Sequence, residues 1–303
     1  MIKRTLYFGN PAYLSMRLKQ LVIHLPEDKK SGFDRASKTI PIEDIGIVIL
    51  DNTQITVTQA LLTELLDNEC AIITCADDHL PTGLMLPLSG HSLQNERFRQ
   101  QLDASIPLKK QLWQQTIQYK IRNQAAVLKY ATGEDHQNMC IWAEQVRSGD
   151  SGNLEARAAA YYWKTVFNDK DFVRGRYEEG ANVFLNYGYA ILRAIIARSL
   201  VSSGLLPTLG IHHHNRYNAY CLADDIMEPY RPYVDRLVLD IMEETDTFEL
   251  TTAVKTKFLS IPVLDVTING RRSPLSVAAT YTTASLVKCF SGEARKLLYP
   301  EME

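Results

Sequence analysis

The sequence predicts an α+β fold, with a small β-rich N-terminal domain over residues 1–90 and a larger, mainly α-helical domain over residues 91–303. Two observations carry this expectation. Apolar residues recur at period two in the first part of the chain and at a period near 3.6 from about residue 93 onward. Between the two regimes Pro81, Gly83, Pro87 and Gly90 punctuate the chain, as the end of a domain would. The composition agrees: 303 residues with 46% hydrophobic and 22% charged side chains can bury a sizeable core, and at about 150 residues per domain the length favours two.

Taken in order, Leu14, Met16 and Leu18 alternate with polar residues, and Leu21, Ile23 and Leu25 do the same, which predicts two half-buried strands. Residues 26–39 read as a polar loop carrying Lys29, Lys30 and Lys38. The run Ile45–Leu50 is continuously apolar and stops at Asp51 and Asn52, as a buried strand ending in a turn would. Ile55 and Val57 predict a short strand. Thr58 is placed to cap a helix whose buried stripe is Leu61, Leu62, Leu65 and Leu66, with Asn68 closing it, and residues 71–75 return to strand. Such strands leave sheet edges and apolar faces too small to close a core alone, so the β-rich part is expected to form a homodimer, C2 pairing being the commonest closed assembly.

In the second part Leu108, Leu112, Ile117, Ile121, Ala125 and Leu128 share one side of a long helix. Ser151, Gly152 and Asn153 offer a cap for a helix running through Glu155 to Trp163. A further helix is expected over 181–202, and a loop containing Pro207 over 204–210. Residues 218–244 read as helical with a break near Pro229, because Pro229 and Pro232 each remove a backbone donor and clash with the preceding turn. Residues 263–268 followed by Asn269 and Gly270 signal a small hairpin, and a last helix is expected to run to about Leu298.

Charge and cysteine usage narrow the function classes. With 33 Lys plus Arg against 35 Asp plus Glu the formal charge is −2, which excludes a histone-like basic chain and an acidic disordered one. The five cysteines contain no C-x-x-C and no zinc-finger spacing, and read as reduced, mostly buried thiols. The residues after Met1 lack the apolar stretch of a signal peptide, and the most apolar segment, 189–201, is broken by Arg193 and Arg198, so a cytoplasmic, soluble protein is expected.

One constellation suits chemistry. His212, His213 and His214 precede Asp224, Asp225 and Glu228, and imidazole with carboxylate suits a divalent metal. Asp225 and Glu228 share a helix face at i, i+3, as do Asp224 and Glu228 at i, i+4, so spacing does not choose between them. The same residues also fit an exposed loop and a solvated helix face. Glu155, among alanines in a first helical turn, could simply complement the helix dipole.

Longer blocks carry a resemblance that covers nearly the whole chain. Gly152-Asn153-Leu154-Glu155-Ala156, then Asn182 to Leu192, then Gly210-Ile211-His212-His213-His214-Asn215, then Leu222 to Pro232 resemble, in register, the blocks of the CRISPR-associated integrase and endonuclease family of spacer acquisition. Ile40 to Ile45, Ile55 to Thr58 and Asp78 to Gly83 look like that family's N-terminal β-domain. The stretch from Pro87 to Gln101 looks like the form found beside large single-protein effector nucleases, a type II-like arrangement. The resemblance implies that Glu155, His213 and Glu228 hold Mg²⁺ or Mn²⁺ and are the catalytic set, with Asp225 an outer or substrate-side group and His212 and His214 solvated or supporting. Two carboxylates and a neutral imidazole leave positions on such an ion for phosphate oxygens and water, while the lack of thiolates argues against structural zinc.

The implied reaction is transesterification without ATP: the 3′-hydroxyl of a short DNA fragment attacks a phosphate at the end of a CRISPR repeat, with nicking as the version that uses water. The implied partners are double-stranded DNA, a second copy of the chain, a small second adaptation protein whose dimer bridges two integrase dimers, and the large effector nuclease. Clustered cations, Lys109 with Lys110, Lys120 with Arg122, Arg174 with Arg176, Arg231 with Arg236, Lys255 with Lys257 and Arg271 with Arg272, supply local phosphate contacts despite the balanced charge. Tyr161, Tyr162 and Trp163 could stack on bases or fill the core. Two competing readings use the same residues: a helical metal-dependent phosphoesterase for small esters, and a non-catalytic scaffold.

Overall fold

The computed structural model describes residues 3–25, 38–169, 171–175 and 178–302. Residues 26–37 of the expected loop at 26–39, with Lys29 and Lys30, and Arg176 of the Arg174 pair lie outside the described residues, while Lys38 and Thr39 stand on a strand, where they pair with Ile23 and Val22, and not in a loop. The architecture is α+β, with the sheets mostly in the N-terminal part and the helices after it.

Two four-stranded sheets interleave along the chain. Strands β1 (Arg4–Phe8), β5 (Ile45–Leu50), β7 (Ala71–Cys75) and β8 (Pro81–Met85) lie in the order β1-β5-β7-β8, parallel except for β8. Strands β2 (Ala12–Arg17), β3 (Gln20–His24), β4 (Lys38–Pro41) and β6 (Ile55–Val57) lie in the order β4-β3-β2-β6. Helix α1 (Gln59–Asp67) is capped as expected, Thr58 accepting from the Leu61 amide and Asn68 standing at its C-terminus. The continuous apolar run of β5 has a simple cause. Ile47 and Ile49 pack into the helical core, while Val48 packs with Leu14, Leu21, Leu61 and Leu65 beneath the second sheet, so both faces are covered.

Three strand expectations are corrected. Leu18 is not on a strand: with Lys19 it forms the two-residue hairpin turn joining β2 to β3, at φ 50° and 60°, and it is 84% exposed. β1 was missed because its burial comes from parallel pairing with β5, a partner far along the chain. β8 was read as punctuation, yet Pro81 opens an edge strand where its missing donor costs nothing, and Gly83 lies opposite Thr74, whose Oγ1 would be 2.5 Å from an added Cβ.

The helical part begins with α2 (Gln94–Asp103) and the long α3 (Ile106–Thr132), capped by Ser105 and ended by Gly133 at φ 74°. Helices α4 (Gln137–Gln145), α5 (Leu154–Val166) and α6 (Ala181–Ser202) follow. α6 is buried on most sides, with Phe184, Leu185, Tyr187, Ile191, Leu192, Ile196 and Leu200 fully enclosed, and is the axis around which the others pack. The expected break at Pro229 is present: α7 (Cys221–Met227) passes through a tight 3-10 turn at Glu228–Tyr230 into α8 (Arg231–Glu243). α9 (Thr252–Phe258) was not anticipated. The hairpin of β9 (Asp265–Ile268) and β10 (Arg271–Pro274) turns at Asn269 and Gly270, both at positive φ. α10 (Leu275–Phe290) ends short of Leu298; beyond Gly292 at φ 82° the chain extends to β11 (Pro300–Glu301), which pairs with β9. Among the described residues no helix is long and apolar enough to cross a membrane.

Candidate active site

The junction of α7 and α8 sorts the acids that spacing left open. Arg193 on α6 grips Asp224 with two hydrogen bonds of 2.6 and 3.1 Å, and Asn218 adds a third of 2.7 Å, so Asp224 is committed to structure. Asp225, fully buried, turns the other way and accepts from the His212 amide at 2.9 Å, the His213 amide at 3.3 Å and His213 Nδ1 at 2.5 Å. It therefore folds the histidine loop around itself. This closeness requires Gly210, where a Cβ would sit 2.4 Å from the His213 carbonyl oxygen and 2.8 Å from Asp225 Oδ2.

The hydrogen bond that His213 donates to Asp225 raises the His213 pKa, with the Asp225, Glu228 and Glu155 charges adding to it against the effect of burial. It also fixes Nδ1 as the nitrogen facing protein and leaves Nε2 for a ligand. Trp113 of α3 supports the loop, stacking on His212 at 4.1 Å between centroids and meeting His213 edge-on at 5.5 Å. All three histidines are exposed; His212 is held by its stacking on Trp113, and its pKa is lowered by burial and by His213.

Glu155 enters from α5, whose expected cap is corrected. Asn153 stands at the N-cap in the left-handed region, φ 50°, and gives no side-chain bond; Asp150 instead accepts from the Leu154 and Glu155 amides, both at 2.9 Å. One carboxylate thereby holds the first turn and the backbone of Glu155.

The two glutamates converge on one cation. Lys120 Nζ lies 2.7 Å from Glu155 Oε1 and 2.7 Å from Glu228 Oε2, while Arg231 reaches Glu228 Oε1 at 3.1 Å. Burial would lower the Lys120 pKa, but the Glu228 and Glu155 charges more than restore it; burial would raise the Glu228 pKa, but Arg231 and Lys120 bring it below the ordinary value. The contact between Lys120 and Glu228 is an ion pair by distance without hydrogen-bond alignment, so Oε2 is a buried oxygen lacking a hydrogen bond. α3 also anchors the turn that carries Glu228, Asn123 donating to the Pro229 carbonyl at 2.7 Å.

Among the described residues no three His, Cys, Asp or Glu side chains form a ready-made metal cage. Glu155 and Glu228, which share the Lys120 ammonium, and the imidazole that Asp225 orients are nevertheless donor types suited to Mg²⁺ or Mn²⁺.

The centre opens into a cleft of about 550 Å³. Lys120, Glu228 and Arg231 meet Arg174, Asn186, Tyr189 and Arg193 there, and Trp163, with Asp78 and Leu80 of the β7–β8 turn and Pro81 and Thr82 of β8, completes the lining. Arg231 lies 4.7 Å over the Tyr189 ring and Arg174 5.1 Å over it. Beneath them Asp235 accepts from Tyr162 and Tyr189 at 2.8 and 2.5 Å, and burial pushes its carboxyl up to about 6. Of the three aromatic residues on α5, Tyr162 is core and Trp163 faces the cleft.

Sequence reasoning missed the roles of Lys120, Arg193, Asp150 and Trp113. One signal was present for Lys120: Thr116, Asn123 and Gln124 make a buried polar stripe on an otherwise apolar helix face, and Lys120 lies within it.

The family model described as CRISPR associated protein Cas1 matches residues 6–252. The CRISPR-associated endonuclease Cas1 of Neisseria meningitidis serogroup C (strain 8013) is 36% identical over 303 residues, covering 99% of this chain and 96% of its own. A casposase bound to integration product has a similar fold, with a TM-score of 0.78 at 19% identity over 98% of this chain and 92% of that one. A chain of a Cas6-RT-Cas1–Cas2 complex matches with a TM-score of 0.75 at 19% identity, over 100% of this chain and 36% of that one. The blocks around Glu155, His213 and Glu228 all fall inside the matched segment, and the likeness to the Neisseria relative runs almost from end to end: the chain belongs to the Cas1 family of CRISPR-associated proteins.

Proposed function

We propose that this protein is a metal-dependent DNA integrase of CRISPR adaptation, joining short DNA fragments to repeat ends, with endonuclease activity as the side or reverse reaction. The convergence of Glu155 and Glu228 on the Lys120 ammonium, with His213 oriented by Asp225 and within electrostatic reach of both glutamates, next to a cleft that Arg174, Arg193 and Arg231 line, carries this reading. Glu155, Glu228 and His213 Nε2 would hold Mg²⁺ or Mn²⁺, which when bound acts as a Lewis acid on the scissile phosphate.

The chain's own residues supply the rest. Asp225 keeps the imidazole in one tautomer and orientation. Arg231 and Arg174, held over Tyr189, offer fixed positive charge to a phosphodiester strand in the cleft, and Trp163 offers an aromatic face to a base.

Transesterification needs no nucleotide cofactor, because the energy of the broken phosphodiester is kept in the one that forms. The same reading includes a homodimer built through the β-rich part, bridging by a dimer of the small second adaptation protein, association with the large effector nuclease, and a cytoplasmic location. Support for the bridging partner comes from the fold shared with a Cas1–Cas2 complex chain.

The test is to incubate the protein with that second protein, Mn²⁺, a labelled double-stranded fragment and a plasmid carrying a repeat array. Label joined at repeat ends is expected. Hydrolysis of small phosphate esters without DNA joining would replace this reading with that of a phosphoesterase.

A further inference from the structure

Lys120 is the one strong cation of the centre that the catalytic reading leaves without a task. Its ammonium fills the point at which Glu155 Oε1 and Glu228 Oε2 meet, and these two carboxylates are its only anionic partners among the described residues. A divalent ion shared by both oxygens sits at roughly 2.0–2.2 Å from each, and so requires the same point. Like charges a few ångströms apart in a water-poor site repel strongly, so ion and ammonium do not share it. Arg231 is differently placed. Its guanidinium takes the other oxygen of Glu228 and rests on Tyr189, and can stay when the point is filled.

Lys120 also has somewhere to go. It lines the cleft, and its four-carbon stem can rotate where a guanidinium fork locked on a ring cannot.

We propose that Lys120 is the resident counter-ion of the metal-free centre, that a divalent ion competes with its ammonium for one position, and that the displaced ammonium turns into the cleft to meet a phosphate of the DNA strand. This rests on the metal and DNA reading above. Without the ammonium, Glu155 loses its ion pair and Glu228 keeps only Arg231, so Lys120 stabilises the empty centre and gains a phosphate partner when the centre is loaded.

The test measures binding rather than joining. Mn²⁺ is titrated by calorimetry into wild type, Lys120→Met and Glu155→Ala, all without DNA. Lys120→Met is expected to bind Mn²⁺ at least about tenfold more tightly than wild type, because its competitor is gone, and to melt at a lower temperature until Mn²⁺ is added. Since Lys120→Met could fail to fold, wild type is also treated with formaldehyde and cyanoborohydride, with and without saturating Mn²⁺, and methylation of Lys120 is read by mass spectrometry. Labelling should rise severalfold with the ion. Equal or weaker Mn²⁺ binding by folded Lys120→Met, or unchanged labelling of wild type that has bound Mn²⁺, overturns the displacement and leaves the metal reading standing. A wild type that takes up no more Mn²⁺ than Glu155→Ala overturns both.

Discussion

Among the described residues two lysine–carboxylate clusters lie in the interior, and they are built to opposite ends. Lys255 of α9 meets Asp51 at the end of β5 at 2.7 Å, both almost fully enclosed, and the same carboxylate accepts from Tyr7 at 2.6 Å and bonds His79 Nδ1 at 2.8 Å. One anion serves three partners, and the cluster fastens the first sheet to the helical part. Lys120, by contrast, is one cation serving two carboxylates, one of whose oxygens lacks a hydrogen bond, beside an open cleft. An anion whose charge and hydrogen bonds are met from three sides inside the fold is a fastening; two carboxylates that share one ammonium beside a cleft, with Arg231 on the other oxygen of Glu228, leave that ammonium within reach of the cleft. Buried ion pairs therefore report function through stoichiometry and access more than through burial itself.

Four experiments can break or sharpen this contrast. The largest effect is expected at the open cluster: Glu155→Ala, His213→Ala or Glu228→Ala should each cut Mn²⁺-dependent DNA joining by about 10³-fold or more, since a bound ion supplies several kcal/mol to the transition state. Gel-based joining assays read this directly, and DNA affinity should change little, because Lys and Arg contacts to phosphate dominate it. Full joining in Glu155→Ala would remove that cluster from catalysis.

Next, Asp51→Ala leaves the Lys255 ammonium buried and unpaired, which should cost about 3–5 kcal/mol of stability in urea unfolding. Mn²⁺ affinity of the folded fraction should match wild type. A loss of metal binding out of proportion to unfolding would mean the two clusters are one system.

A smaller effect is expected for Asp225→Asn. It keeps the shape of the histidine loop but removes the charge that orients His213, so Mn²⁺ affinity should weaken by about 10–100-fold with the melting temperature moving little. His214→Ala, an exposed neighbour, is the control that should leave binding unchanged.

The smallest effect is the acid response of the closed cluster. Burial alone pulls the Asp51 carboxyl up, but hydrogen bonds from Lys255, Tyr7 and His79 outweigh it, and its pKa lies below the ordinary carboxylate value. A depressed folded-state pKa contributes stability that is complete above the unfolded value, about 3.9, and is lost as pH falls through the folded value. Urea midpoints should therefore fall more steeply below about pH 4 for wild type than for Asp51→Asn. Parallel curves in that range would show that Asp51 is not among the groups that make the fold acid-labile.

What the sequence by itself determined was whatever local periodicity and local chemistry can encode. β5, α1 with its Thr58 cap, the 181–202 helix, the break at Pro229 and the Asn269–Gly270 turn depend on residues within a few positions of one another, and each is legible. The block resemblance likewise picked out Glu155, His213, Asp225 and Glu228, because motif residues keep their spacing within a block.

Tertiary structure decided the rest, for reasons of distance. Asp224 and Asp225 are neighbours with the same chemistry, and only the approach of Arg193 from α6 and of the histidine loop gives one a structural partner and the other an imidazole. β1 is a strand because β5 lies beside it, and β8 because β7 does. Lys120 looked like one surface cation among several. It becomes the centre's counter-ion only when α3, α5 and the α7–α8 turn meet, since the energy of a buried charge depends on which opposite charges the fold brings within a few ångströms, and no spacing along the chain records that.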